Sequence, residues 1–222
     1  MTPRLVIFDV DGTLVDSQGD IVASMTAAFD AVELTLPLRA ELLAIVGLSL
    51  DQAMHRLAPE TPVATRDRLV AAYKEEYQRL RKAGGAESSP LYPGIGAVVE
   101  SLSTQDHTLL GIATGKSRRG LDALLDNHGW TGLFQTVQVA DDHPSKPHPS
   151  MLMTALAETG VETARAVMIG DTTYDMQMAH SAGIPFIGVS WGYHAPAALT
   201  GARAMVTDAA DLPAAIDQVI GN

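Results

Sequence analysis

Short apolar runs that break off at polar, glycine-bearing turns recur along this chain and alternate with stretches of helical periodicity. The first, Leu5 to Val10, stops at Asp11-Gly12, the form of a buried strand ending in a tight loop. Similar runs stand at Leu109 to Ala113, Thr136 to Val139, Ala166 to Ile169, Pro185 to Val189 and Ala204 to Val206. Helical patterns separate most of them, over Ile95 to Leu102, Arg118 to Asn127, Ser150 to Glu158, Thr173 to Ala182 and Ala209 to Ile220. Alternating buried strands and helices predict a mostly parallel sheet covered on both faces. Ligands of such sheets sit beyond the carboxyl ends of the strands.

Between Ser17 and Glu87 the pattern changes: no strand-like run stands out and several segments read as helix. The longest, Thr65 to Ala83, puts Leu69, Tyr73, Tyr77 and Leu80 on one face, with charges around the rest. Its Glu75 and Arg79 are spaced to pair on a solvated surface. Gly84-Gly85 ends it, and Ser88 to Gly94 reads as the return linker. The expected fold class is therefore α/β, a Rossmann-like parallel-sheet core built from residues 1–16 and 88–222. An α-helical domain, 17–87, is inserted after the first strand.

Composition narrows the function. The apolar fraction of 46% is ordinary for a globular protein, and 222 residues suffice for a sizeable core. A formal net charge of −11 argues against nucleic acid or an anionic membrane as partner, since both demand clustered Lys and Arg. An anionic substrate would need local positive charge, and a bound metal cation is one source. With no cysteine there is neither a disulfide nor thiolate chemistry. No leader-like segment opens the chain and no run approaches the ~20 apolar residues of a membrane helix, so a cytoplasmic protein is expected, as a monomer or homodimer.

Four polar clusters fall at or just beyond the expected strand ends. In Asp9-Val10-Asp11-Gly12-Thr13-Leu14-Val15-Asp16, carboxylates at i and i+2 point the same way from an extended chain. Gly12 permits a sharp turn that bares backbone N–H groups to an anion. Thr114-Gly115-Lys116-Ser117 offers a hydroxyl and a helix N-terminus near Arg118, usable as a phosphate cradle and equally ordinary as a cap. In Ser145-Lys146-Pro147-His148-Pro149 the prolines hold Lys146 and His148 outside the following helix, and His148, with no second histidine at ligand spacing, reads as structural. In Gly170-Asp171-Thr172-Thr173-Tyr174-Asp175, Asp171 stands at the expected N-cap with Asp175 four residues on, facing the same spot.

Bringing Asp9, Asp11, Asp171 and Asp175 into one crevice would be repulsive. A hard divalent cation with oxygen ligands removes that difficulty, and a nearby Lys146 helps; Mg²⁺ suits a few carboxylates plus phosphate oxygens and waters. Phosphoryl transfer consists largely of positioning and charge neutralisation, and these residues supply a nucleophile, a cation site, a lysine and a phosphate-binding hydroxyl.

In this order, the clusters resemble the four motifs of the haloacid dehalogenase-like hydrolase superfamily: Asp9 to Asp16 first, Thr114 second, Lys146 third, Asp171 and Asp175 last. The resemblance spans essentially the whole chain. The inserted helices match the helical cap of one branch, within which the sequence looks most like the phosphoglycolate phosphatase group. It implies a Mg²⁺-dependent phosphatase of small phosphorylated metabolites. Asp9 would be the nucleophile that becomes an aspartyl-phosphate, and Asp11 the general acid and base. The metal would be held by Asp9, the Asp11 carbonyl and Asp171, with Asp175 in support. Thr114 and Lys146 would hold phosphoryl oxygens, with Gly12, Thr13 and Gly115 completing the cradle. An aspartate at position 11 speaks against dehalogenation, and Gly170-Asp171 looks more like the phosphatases than the hexose-phosphate mutases.

Cap residues are expected to set specificity by closing over the leaving group. The loop Gly47-Leu48-Ser49 is the expected reach into the site, and Arg56 is read as a solvated helix residue before a partner for a substrate carboxylate. Trp191-Gly192-Tyr193 either borders the pocket or packs at its rim. The same machinery would serve a nucleotidase, a pyrophosphatase or a sugar-phosphate phosphatase or phosphomutase. From a different class, a non-catalytic phospho-ligand-binding protein would keep the fold without turnover, but Asp9, Asp11 and Lys146 are all retained.

Overall fold

A computed structural model describes residues 2–221. Strands β1 (Arg4–Phe8), β2 (Thr108–Thr114), β3 (Thr136–Val139), β4 (Ala166–Gly170), β5 (Phe186–Val189) and β6 (Ala204–Val206) form one parallel sheet. Its order is β3-β2-β1-β4-β5-β6. The chain leaves β1 towards β2 on one side and later reaches β4 on the other. That reversal opens a crevice beyond the carboxyl ends of β1 and β4.

Every residue of β1 is buried, so consecutive side chains face opposite layers. Val6 and Phe8 pack with α5 (Ile95–Ser103), α6 (Arg118–Asn127) and α9 (Leu212–Ile220) on one face. Leu5 and Ile7 pack with α7 (Ser150–Thr159) and α8 (Thr173–Ala182) on the other. β1 stops at Phe8, two residues before the apolar run ends, because Val10 already accepts from Thr13, Leu14 and Val15 in a turn. The last helix starts at Leu212, since Ala209–Asp211 close as a 3₁₀ turn first.

Between β1 and α5 lie α1 (Gln18–Asp30), α2 (Arg39–Ala44), α3 (Leu50–Leu57) and α4 (Val63–Gly84). They carry their own apolar cluster, with Met25 and Phe29 of α1, Leu42 of α2, Met54 of α3 and Leu69 of α4 buried together. On α4, Arg79 forks onto Glu76, 2.7 Å to each oxygen; the i+3 spacing wins over the expected Glu75 partner, which turns to a cavity instead. The insertion leaves and re-enters the core side by side, with Val15 bridged antiparallel to Leu91 and Asp16 N–H bonded to Pro90 O. A second attachment joins α3 to α8. Arg56, expected in solvent, is exposed but donates to Tyr174 Oη at 3.0 Å, and that hydroxyl donates to Ala44 O.

Arg4 is buried and unites three parts of the core. Its guanidinium donates to Thr108 Oγ1, Gln105 Oε1, Asp217 Oδ1 and Gly221 O, at 2.6–3.0 Å. Removing it strands those acceptors at the rear of the sheet, away from the crevice. Arg4→Met is expected to cost about 1.5–3 kcal/mol, the range for hydrogen bonds to a charged group. Urea unfolding checks this, and a loss under about 0.5 kcal/mol would show that the network adds nothing net.

Candidate active site

Asp9 follows the last residue of β1, and its N–H donates to Ile169 O, so it caps the strand pair β1–β4. Its carboxylate is almost wholly buried, 1% exposed. Lys146 Nζ stands 2.9 Å from Asp9 Oδ1 as an ion pair without hydrogen-bond alignment, so among the described residues neither Asp9 oxygen has a hydrogen-bond partner. The same ammonium donates to Asp175 Oδ1 at 2.6 Å. Lys146 belongs to the loop between β3 and α7 and precedes a cis proline, Pro147. Its side chain is fully buried, which alone would favour the neutral amine; Asp175 and Asp9 outweigh this and raise its pKa above the usual lysine value.

Asp171 follows β4 and accepts from Thr13 Oγ1 at 2.9 Å and from Tyr193 N–H at 2.7 Å. It is not the N-cap of α8. Thr172 takes that place, accepting from Asp175 N–H, and Asp175 returns a carboxylate oxygen to Thr172 N–H and Oγ1. This reciprocal cap fixes Asp175 and releases Asp171 to face the crevice. Gly12, with φ at +85°, lies so close that a Cβ there would collide with the Asp171 carboxylate. Glycine is required on both counts.

Asp9, Asp171 and Asp175 each offer a carboxylate oxygen within 4.8 Å of the others, all three buried. Burial first, then Asp175, raise the Asp9 pKa well above the usual carboxylate value, and Lys146 only partly opposes them. The same two causes bring Asp171 up to about 7, against the N–H of Tyr193 and the hydroxyl of Thr13. Three buried acids with one lysine lack positive charge, and the unpartnered oxygens of Asp9 lie among them. A hard divalent cation fits this donor set.

Asp11 is also buried but stands apart from that trio. Its Oδ1 is 2.9 Å from Lys116 Nζ and accepts a hydrogen bond from Ser17 Oγ. Asp9 and Asp11 both line a cavity of about 480 Å³ between the sheet and the inserted helices. Ser49 and Gly115 line it too, together with Met25, Tyr73 and Tyr77. Thr114, Lys146, Asp171 and Asp175 do not. Thr114 is fully buried at the end of β2, its hydroxyl accepting from Lys116 N–H at 3.2 Å. Ser49 N–H donates to Ser145 Oγ at 2.8 Å, one residue from Lys146, so the Gly47-Leu48-Ser49 loop does meet the core here. A Cβ on Gly115 would stand 2.7 Å from Leu48 O, which only glycine avoids. His148 is exposed and accepts from Ser150 N–H, with no part in the cluster.

Sequence reasoning gave no role to Lys116, Ser17 or Tyr77. Lys116 was visible beside Thr114, but nothing in the spacing shows that it meets Asp11, because the contact spans two strand ends. Trp191-Gly192-Tyr193, left open, supports the site from below: Trp191 Nε1 donates to Thr13 O, and Tyr193 holds Asp171 and Ser17.

Residues 6–189 match the model of the haloacid dehalogenase-like hydrolase family. The chain belongs to this family. It is 35% identical over 206 residues to "Probable phosphatase IndB" of Dickeya dadantii, covering 91% of this chain and 87% of that one. It is 32% identical to a phosphoglycolate phosphatase of Xylella fastidiosa, covering 86% and 82%. The crystal structure of a hydrolase from Pseudomonas syringae shares the fold, with a TM-score of 0.85 at 24% identity over 99% of both chains. Among the described residues, no helix is long and apolar enough to cross a membrane.

The raised acids make the metal-free family member pH-sensitive. Asp171 binds its proton more tightly folded, at about 7, than unfolded, near 3.8, so the folded state holds more protons between those values. Its contribution to stability is full below the unfolded value and is lost as pH rises through about 7. Chelated protein should therefore melt lower at pH 8 than at pH 5, and Mg²⁺ should raise the melting temperature more at pH 8. A Mg²⁺ titration that leaves both melting curves flat would remove the cation from this site.

Proposed function

We propose that this hydrolase cleaves small phosphate monoesters through an aspartyl-phosphate on Asp9, with Mg²⁺ as its metal and the helices of residues 17–87 as a cap. The observation that carries this reading is the Asp9 carboxylate. It is buried, has no hydrogen-bond partner among the described residues, is ion-paired to Lys146, and belongs to a residue that lines the same cavity as Asp11.

Asp9 and Asp171 would hold the metal together with the Asp11 carbonyl, and Asp175 would support it through the charge it shares with Lys146. Bound there, the cation neutralises charge on the phosphoryl oxygens and on the acids. An oxygen of Asp9 attacks phosphorus, the bond from phosphorus to the leaving oxygen breaks, and Asp11 delivers its proton to that oxygen. Asp11 then takes a proton from water, whose oxygen attacks the same phosphorus and releases phosphate from Asp9. Lys146 would hold the phosphoryl oxygens and the ionised Asp9, with Thr114 and the Gly115 N–H beside it. The N–H groups of Gly12 and Thr13, expected in this cradle, are instead committed to Val15 O and Val10 O in the turn after β1. Catalysis of this kind is mainly positioning and electrostatics, which exclusion of water strengthens.

The names of the relatives make 2-phosphoglycolate the leading substrate for this chain. A cytoplasmic place of action agrees with a small phosphorylated metabolite as substrate. Phosphate release across 2-phosphoglycolate, sugar phosphates, nucleoside monophosphates and pyrophosphate, with Mg²⁺ and with chelator, tests both levels. A metal-dependent signal strongest on 2-phosphoglycolate supports the whole reading; another best ester moves only the substrate; silence throughout removes the hydrolytic reading.

Asp9→Asn should lower turnover at least about 10⁴-fold, since the nucleophile itself is lost, while circular dichroism and the cooperative melt stay native. Full activity of this variant at saturating Mg²⁺ would sink the nucleophile assignment.

A further inference from the structure

Lys116 connects the inserted helices to Asp11. Its backbone is fixed at the end of β2: its N–H donates to Thr114 Oγ1, and its carbonyl accepts from Ala140 N–H at 3.0 Å. The next residue, Ser117, caps α6 by accepting from Gly120 N–H. From this anchored position the side chain reaches Asp11 Oδ1 at 2.9 Å and, in the other direction, donates to Tyr77 Oη at 2.7 Å. Tyr77 belongs to α4, and its ring also lies over the ammonium, 4.8 Å from centroid to Nζ, within reach of a cation–π attraction. Tyr73 in turn stacks on Tyr77, with centroids 5.7 Å apart and planes 22° from parallel.

The contacts to Asp11 are one-sided. Lys116 and Ser17 both engage Oδ1, and among the described residues nothing hydrogen-bonds Oδ2. Ser17 is itself held by Tyr193, whose hydroxyl accepts from Ser17 N–H at 3.0 Å and lies 3.2 Å from Ser17 Oγ. One oxygen of the carboxylate is thus tethered from two sides and the other is left for chemistry.

We propose that Tyr77 is a positioning residue: from the cap it fixes Lys116, Lys116 fixes Oδ1 of Asp11, and Oδ2 is thereby aimed into the cavity as the atom that exchanges the proton. The device makes acid–base competence depend on the cap being in place. With the cap swung away, Lys116 loses its hydrogen bond and its aromatic face. The carboxylate then keeps only the Ser17 tether as a fixed partner. The inference rests on Asp11 being the acid and base, as proposed above. It adds a requirement that the nucleophile and metal site do not share.

A role in proton delivery differs measurably from a role in binding or folding. A leaving group that departs readily as an anion needs little help from an acid, whereas a poor one needs much. Tyr77→Phe keeps the ring and its stacking on Tyr73 and removes only the hydroxyl. The measurement is kcat/KM for substituted phenyl phosphates of similar size, from 4-nitrophenyl phosphate to phenyl phosphate, extended to an alkyl phosphate. This parameter reports the first half-reaction, in which Asp11 acts as the acid.

Tyr77→Phe should lower kcat/KM about tenfold for the alkyl ester and by less than about twofold for 4-nitrophenyl phosphate, a steeper dependence on leaving-group acidity. Lys116→Met should steepen it further. With 4-nitrophenyl phosphate, a burst of nitrophenol should appear as the water-activating step slows. A uniform loss across the series would make Tyr77 and Lys116 substrate-binding groups and overturn the proposal, and so would no loss in either variant. Wild-type protein inactive on every ester would instead strike the underlying phosphatase reading.

Discussion

Everything at the crevice depends on how three buried carboxylates coexist at the ends of β1 and β4. Asp9, Asp171 and Asp175 are packed where water cannot screen them, and one ammonium, Lys146, is set between two of them. A lysine buried beside acids is stable only because it stays charged, and the acids tolerate their burial only because it does. The arrangement remains short of positive charge, as the raised pKa values of Asp9 and Asp171 express. A divalent cation and a phosphoryl group together would restore the balance.

The surrounding structure serves to keep that cluster in place. Parallel pairing of β1 with β4 brings Asp9 and Asp171 to one edge, and the reciprocal cap of Thr172 and Asp175 keeps the start of α8 from taking Asp171 for itself. Gly12 and Gly192 leave room for the Asp171 carboxylate, while Tyr193 and Thr13 hold its two oxygens. Asp11 belongs to a different electrostatic compartment, tied to Lys116 and Ser17 and shared with the inserted helices. Two acids two residues apart thus receive different environments, one paired with Lys146 and the other with Lys116.

Much of this was legible in the sequence. Strand-length apolar runs ending in Asp-Gly or Gly-Asp located β1 and β4, and the ordered clusters named Asp9, Lys146, Asp171 and Asp175, which the fold brings together. Asp11, expected in the same crevice, lies apart beside Lys116 and Ser17. Local signals fared worst where two local solutions compete. Asp171 and Thr172 are both good N-caps, and only the return bond from Asp175 decides for Thr172. Glu75 and Glu76 both lie within reach of Arg79, and the fork onto Glu76 leaves Glu75 to the cavity. Arg56, apparently a surface charge, is claimed by Tyr174 across the junction of insertion and core.

Hydrophobic periodicity, turn chemistry and the spacing of acids are properties of short segments, so the sequence by itself determined the sheet, the helical insertion and the identity of the charged residues. Contacts between segments distant in the chain are not encoded in any window. The pairing of Lys116 with Asp11, the placement of Tyr77 against that lysine and the bond from Tyr193 to Asp171 each join residues from separate elements. Only tertiary packing decided them, because each depends on where two backbones come to lie relative to one another.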